Sequence, residues 1–240
     1  MNEYHELRAR IADFEILLRL KYTYTASQCR KYLVKSTKAA HITLCATDEY
    51  VKRELPFCDG AAHEAESICI QREFCRALPK LGAFMLHSSV VECAGEGFAF
   101  FGLSGAGKST HTMLWKELLG EKMRIINGDK PVIRFSGGKA VAYGTPWCGK
   151  ELWSENASVP LKALCHIVKS KENRIRELSK DEAVRVLMGQ VILPAEKEDA
   201  ERTLELLGAL IENVRIYELC CDVSLDAARL SYETMKGEKV

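Results

Sequence analysis

The sequence predicts a mixed α/β protein: a small α+β region over residues 1–80, then a larger, strand-rich domain over residues 81–240. Three observations carry this. After Gly82 the chain breaks into short runs of β-branched, aromatic and small apolar residues, punctuated by Gly-containing turns. Helical runs are interspersed among them, but not in regular βαβαβ alternation. A glycine-rich loop, Gly102–Ser109, sits between an apolar strand and a helix-forming run.

The elements follow in order. IADFEILLRL, from Ile11 to Leu20, predicts a strand, favoured over a helix by the Tyr22–Thr25 run that follows. QCRKYLV reads equally as helical or extended. HITLCAT, from His41, alternates as a strand does and leads to Asp48, a reasonable helix N-cap. AAHEAESICIQREFCRALPKL places Ile68, Cys69, Phe74, Cys75 and Leu78 mostly at helical spacing, and Pro79 stops it. AFMLHSSVVEC and GFAFFGL read as two strands joined through Ala94-Gly95-Glu96-Gly97. A helix runs from Lys108 to about Leu119, then a short strand RII and the turn Asn127-Gly128-Asp129. PVIRF and KAVAY pair around Ser136-Gly137-Gly138, and KALCHIV is a further strand. Helices are expected near Asp181–Met188 and Ala200–Glu212. VRIYELCCDV is a late strand, and Ser224 caps a last helix carrying Leu225, Ala228, Tyr232 and Met235.

Composition narrows the function. A hydrophobic fraction of 47% with 28% charged residues describes a soluble, core-forming chain rather than a disordered one. A net charge of +1 offers no field for nucleic acid or an acidic membrane. No apolar run reaches membrane-spanning length, and MNEYHELRAR lacks the apolar core of a signal peptide. The ten cysteines contain no CxxC pair and fall mostly in apolar segments. Small buried thiols in a reducing cytoplasm are the expectation.

Gly102-Leu103-Ser104-Gly105-Ala106-Gly107-Lys108-Ser109 matches G-x-x-x-x-G-K-[ST]. Glycines here let backbone amides turn toward phosphate oxygens without a Cβ in the way. The positive end of the helix beginning at Lys108 adds to that field, with Thr110 in its first turn. Lys108 is placed for β- and γ-phosphates, and the Ser109 hydroxyl for Mg²⁺ or Mn²⁺. A nucleoside triphosphate is therefore expected, with ATP taken as the phosphate donor, although no residue distinguishes adenine from guanine.

The acceptor side is less marked. Asp129, at the end of a strand, is the best acid for metal binding or for base catalysis, and both roles stay open. His87 is the one titratable residue in AFMLHSSVV, the β-run that precedes the loop strand. GTPWCGKE, Gly144 to Glu151, is a candidate acceptor loop. Trp147 offers stacking, Lys150 an anion contact, and Glu151 a metal or hydroxyl contact. Lys130 and Arg134 are further candidates to face phosphates. His111 reads as a surface or supporting group on the first helical turn, and Trp115 as core.

Taken together, LHSSVV, FFGLSGAGKST and INGDK resemble the phosphoenolpyruvate carboxykinase and HPr kinase/phosphorylase superfamily. The resemblance covers about Ala83 to Val168 and, more loosely, the end of the chain. It implies a carboxykinase-like P-loop core, mixed and largely β, with His87 beside metal and phosphate. The family's acidic motif is usually a pair of aspartates; here Asp129 stands alone between Gly128 and Lys130. GTPWCGKELWSENASVPLKAL looks like the matching segment of small stand-alone HPr kinase-like proteins of bacteria. Some of those relatives phosphorylate peptide natural products on serine, others small molecules. Residues 1–80 resemble the leading region of that group rather than the amino-terminal domain of true HPr kinases. No HPr-docking segment is identifiable, and the carboxykinase reaction calls for a much longer chain. The resemblance also implies a homo-oligomer.

The expected function is thus a Mg-ATP-dependent kinase acting on a hydroxyl of a protein, peptide or metabolite. A nucleotide-binding regulatory module, or a reversible kinase/phosphorylase, are the alternatives.

Overall fold

The computed structural model describes residues 4–237. The run read as one strand is instead a hairpin. β1 (His5–Ile11) and β2 (Phe14–Leu20) pair antiparallel from His5–Leu20 to Ile11–Phe14. Ala12 and Asp13 make the turn with φ of 51° and 63°, values that aspartate adopts more readily than most residues and alanine rarely. α1 (Thr23–Gln28) and a 3₁₀ turn over Cys29–Tyr32 follow, so QCRKYLV is helical to Tyr32 and extended from Leu33. β3 (Ile42–Cys45) adds parallel to β2. α2 (Asp48–Glu54) is capped by Thr47 rather than Asp48, its side chain accepting the Tyr50 amide. α3 (Ala62–Ala77) ends before Pro79, which lies in the 3₁₀ turn Leu78–Leu81.

The remaining strands form one nine-stranded mixed sheet. They are β4 (Ala83–Met85), β5 (Ser88–Cys93), β6 (Glu96–Phe101), β7 (Met123–Asn127), β8 (Val132–Ser136), β9 (Lys139–Tyr143), β10 (Ser158–Lys169), β11 (Arg174–Glu177) and β12 (Arg215–Cys221). The order β4-β8-β9-β10-β6-β5-β7 is extended by β12 on β10 and β11 on β12. β10 is shared. Its first residues pair antiparallel with β9, and its remainder runs parallel between β6 and β12.

The hairpins across Ala94-Gly95 and Gly137-Gly138 form as the sequence predicts. AFMLHSSVVEC does not form one strand. It breaks at Leu86-His87 because β4 pairs with β8 while β5 pairs with β6 and β7. There the His87 amide donates to the Gln190 carbonyl. β11 is polar and half-exposed, with no apolar alternation to reveal it.

Alternate residues of β6 serve two cores, as strand pleating requires. Phe98 and Phe100 pack with Trp115 of α4 (Lys108–Leu119) and Tyr232 of α7 (Leu225–Lys236). Trp115 is fully buried, as expected; at ~25 cal/mol per Å² its ~200 Å² represents on the order of 5 kcal/mol before entropy. Ala99 and Phe101 face the opposite core, under α5 (Lys180–Leu187) and α6 (Lys197–Asn213). A third core joins the β1–β2 hairpin and α3 to Ala83, Met85, Val132 and Trp147. All ten cysteines are unpaired, and nine are buried. Among the described residues no helix is long and apolar enough to cross a membrane.

Candidate functional site

The sheet's pairing assembles the site. β5 lies antiparallel between β6 and β7, with Ser88 opposite Phe101 and Val90 opposite Asn127. The start of β5 and the ends of β6 and β7 therefore share one edge. His87, the glycine-rich loop after Phe101, and the Asn127-Gly128-Asp129 turn are brought together there. The Ser88 amide donates to the Asp129 carbonyl at 3.0 Å, tying the turn to β5.

In the loop, Gly102 has φ 147°, and a Cβ there would meet the Ile167 carbonyl at 3.0 Å and Ala106 Cβ at 3.2 Å. Only glycine tolerates both the backbone angle and the approach. α4 starts at Lys108 with no side-chain cap and no acidic residue in its first turn, leaving the positive helix end to the loop. The Lys108 side chain is buried, its Nζ donating to the carbonyls of Gly102 at 3.1 Å and Leu103 at 3.4 Å. Burial lowers its pKa, the Asp129 carboxylate works against that, and Lys130 adds to the lowering. Ser104, Gly105 and Thr110 are exposed; Ala106, Gly107 and Ser109 are half-buried.

Facing this loop, His87 Nε2 lies 3.0 Å from Asp129 Oδ1, and Lys130 Nζ lies 2.8 Å from Asp129 Oδ2. Burial works to raise the Asp129 carboxyl, but the hydrogen bond from His87 and the charge of Lys130 outweigh it and pull it down to about 2. A carboxyl so low is anionic at every physiological pH and a weak proton acceptor. The turn holding it is built by Asn127, whose Oδ1 accepts the amides of Asp129 at 2.9 Å and Lys130 at 2.7 Å. Asparagine suits this because its side chain mimics a turn of backbone.

The other predicted residues divide. Asp129, Lys130, Trp147 and Lys150 line a cleft of about 830 Å³ whose far wall is Tyr24 and Gln28 of α1 and Ser67 and Gln71 of α3. Glu151 is exposed beside it. Trp147, expected to offer a stacking face, is mostly buried, its ring 5.5 Å from that of Phe74. Arg134 does not join the site. It donates to the Ala12 carbonyl and lies 4.2 Å over the Phe14 ring, clamping the β1–β2 turn.

His111 is not at the surface but 2% exposed, bonded through Nε2 to Ser231 Oγ at 2.9 Å. Burial drops its pKa to about 4. Asn127, Thr145, Ser154 and Tyr32 escaped the sequence reading. Only Asn127 carried a signal, the Asn-Gly turn pair.

A second cavity of about 420 Å³, more apolar, lies at Gly105–Gly107 and is lined also by Thr110, Leu114, Ile167 and Val223. The two cavities share no lining residue.

Among the described residues no three His, Cys, Asp or Glu side chains gather as a metal cage. Asp129 and the Ser109 hydroxyl are hard oxygen donors, which fits Mg²⁺ or Mn²⁺ held chiefly by phosphate oxygens.

No protein-family model matches the chain, and no curated protein matches it. Among solved structures, the HPr(Ser) kinase/phosphatase from Coxiella burnetii aligns over 64% of this chain and 93% of its own, at 9% identity and a TM-score of 0.35. That likeness is too low to carry fold or function.

Proposed function

We propose that the protein is a Mg-ATP-dependent phosphotransferase acting on a hydroxyl acceptor. The observation that supports this best is the convergence of the Lys108 loop with the His87–Asp129–Lys130 cluster at one sheet edge, between two separate cavities.

In this reading the loop amides and Lys108 hold the triphosphate, and the nucleoside lies over Leu114, Ile167 and Val223 in the smaller cavity. Asp129 and Ser109 hold the metal, which when bound neutralises charge on the phosphates. The pKa of about 2 favours Asp129 as metal ligand and orienting anion over base. With His87 Nε2–H donated to Asp129, the ring's lone pair lies on Nδ1, which takes the proton of the acceptor hydroxyl. The acceptor, a serine-bearing peptide or protein or a smaller metabolite, enters by the 830 Å³ cleft, with Lys150 at its wall.

The test is transfer of γ-phosphate label from Mg-ATP into a cell extract split by size, with Lys108→Ala alongside. Label in the large or small fraction identifies the acceptor class; label in neither, with nucleotide bound, refutes the phosphotransferase. A second reading, nucleotide binding without transfer, draws on one observation: both Asp129 oxygens are engaged by protein groups. It predicts an ATP-dependent change in assembly or partner binding with no ADP formed. Reverse phosphorolysis would use the same groups and show as phosphate-dependent dephosphorylation of the product.

A further inference from the structure

Behind Asp129 lies a line of buried polar side chains that the roles above do not use. Tyr32, Thr145 and Asn127 are fully buried and Ser154 is 9% exposed. The Tyr32 hydroxyl and Ser154 Oγ are 2.6 Å apart, and Ser154 Oγ donates to the Thr145 carbonyl at 2.8 Å. With the serine proton committed there, the tyrosine proton is shared between Ser154 Oγ and the Glu155 carbonyl, which lies 3.1 Å from the hydroxyl. Asn127 Nδ2 donates to the same Thr145 carbonyl at 3.0 Å, while Asn127 Oδ1 accepts both turn amides. Thr145 Oγ1 donates to the Lys130 carbonyl at 2.7 Å. The line thus starts at Tyr32 in the amino-terminal region, 122 residues before Ser154, and ends on the backbone of Asp129 and Lys130.

We infer, resting on the phosphotransferase reading, that this chain from Tyr32 through Ser154 and Thr145 to Asn127 positions the Asp129 carboxylate, making Tyr32, Thr145 and Asn127 positioning residues. Two features support positioning over simple core filling. The bonds converge on the one turn whose carboxylate meets His87, where displacements of a fraction of an ångström govern rate. Each hydroxyl also serves a named acceptor, Tyr32 serving Ser154 Oγ and the Glu155 carbonyl and Thr145 Oγ1 the Lys130 carbonyl. Losing one leaves that acceptor without its donor and free to shift. The amino-terminal region then acts twice on the site, supplying the far wall of the cleft and holding the turn opposite.

The experiment compares Tyr32→Phe, Thr145→Val and Thr145→Ser with wild type by two independent readouts. The first is hydrogen exchange at the Asp129 and Lys130 amides, which needs no activity. The second is kcat and KM for Mg-ATP hydrolysis, with water as stand-in acceptor. Tyr32→Phe and Thr145→Val should speed exchange at those two amides about 10-fold or more and leave β1–β2 amides unchanged. They should lower kcat by about 10-fold with KM within about twofold, in line with losses seen for other supporting contacts. Thr145→Ser, which keeps the hydroxyl, should restore both.

Unchanged exchange in both Tyr32→Phe and Thr145→Val overturns the inference, as does a kcat loss that follows a general drop in Tm and is not rescued by serine. If wild type binds but does not hydrolyse Mg-ATP, the exchange data alone decide whether the chain sets the turn, and the phosphotransferase reading is decided by label transfer into extract. Should Thr145→Val fail to fold, Tyr32→Phe carries the test.

Discussion

Replacing Asp129 by Asn removes one negative charge while keeping the side chain's shape, so it isolates what that charge does. Its carboxyl sits at about 2 against an ordinary 3.8. At about 1.4 kcal/mol per pH unit, that difference is worth about 2 kcal/mol to the folded state. The folded pKa is depressed, so this stabilisation is full above about pH 4 and disappears as the pH falls through about 2. Asp129→Asn should therefore be less stable than wild type by about 2 kcal/mol at pH 7, by about half that at pH 3, and equal to it near pH 2. Urea unfolding of both proteins at pH 7, 5 and 3 measures this directly. Equal midpoints at pH 7, or a gap that does not narrow toward pH 3, would show that His87 and Lys130 do not hold the carboxylate as the distances of 3.0 and 2.8 Å indicate. In the same variant, Mg-ATP should still bind and phosphoryl transfer should be lost.

Three further outcomes are expected. Lys108→Ala should weaken nucleotide binding about 10- to 100-fold, the worth of a charge-assisted hydrogen bond, without lowering Tm; calorimetric titration with Mg-ADP reads it. His111, neutral in the fold with its pKa at about 4 against 6.5, should cost the protein about 3 kcal/mol as the pH falls from 6.5 to 4, because the unfolded chain takes the proton first. His111→Gln should flatten the stability curve in that window, and a slope unchanged from wild type would rule the histidine out as its source. Gly144→Ala would place a Cβ 1.9 Å from the Glu155 carbonyl oxygen and 2.8 Å from that of Ile126. Forcing those backbone segments apart should cost about 3 kcal/mol or more, visible in thermal unfolding.

Local pattern was a good guide where one residue type or one period settles the matter. The two-residue turns at Ala94-Gly95 and Gly137-Gly138, the helix from Lys108, and the buried face of α7 all follow from glycine's backbone freedom or a 3.6-residue period. It failed at Ala12-Asp13, where the pairing of β1 with β2 imposes a left-handed angle on an alanine, a residue that does not ask for it. It failed again at Leu86-His87, because nothing local tells which neighbour each half of AFMLHSSVVEC will find.

The site shows the same division. The glycine-rich loop was legible because its backbone angles at Gly102, Gly105 and Gly107 call for glycine at fixed spacing. His87 and Asp129 were legible as polar residues among apolar strands, but their 3.0 Å approach was not. Arg134 and the surface alternative for His111 went astray because a cation beside a strand and a histidine on a first helical turn read alike whether they face solvent or a core. As a supporting group His111 does line the cavity at the glycine-rich loop.

By itself, then, the sequence determined the loop's geometry, the candidate groups and the mix of helix and strand, since these rest on neighbours within a few residues. Only the tertiary structure decided which groups meet, that Asn127 rather than a second acid builds the Asp129 turn, and that Tyr32 bonds Ser154 across 122 positions. Contacts between residues over a hundred positions apart depend on strand order and on the fit of packed surfaces, and neither leaves a local trace.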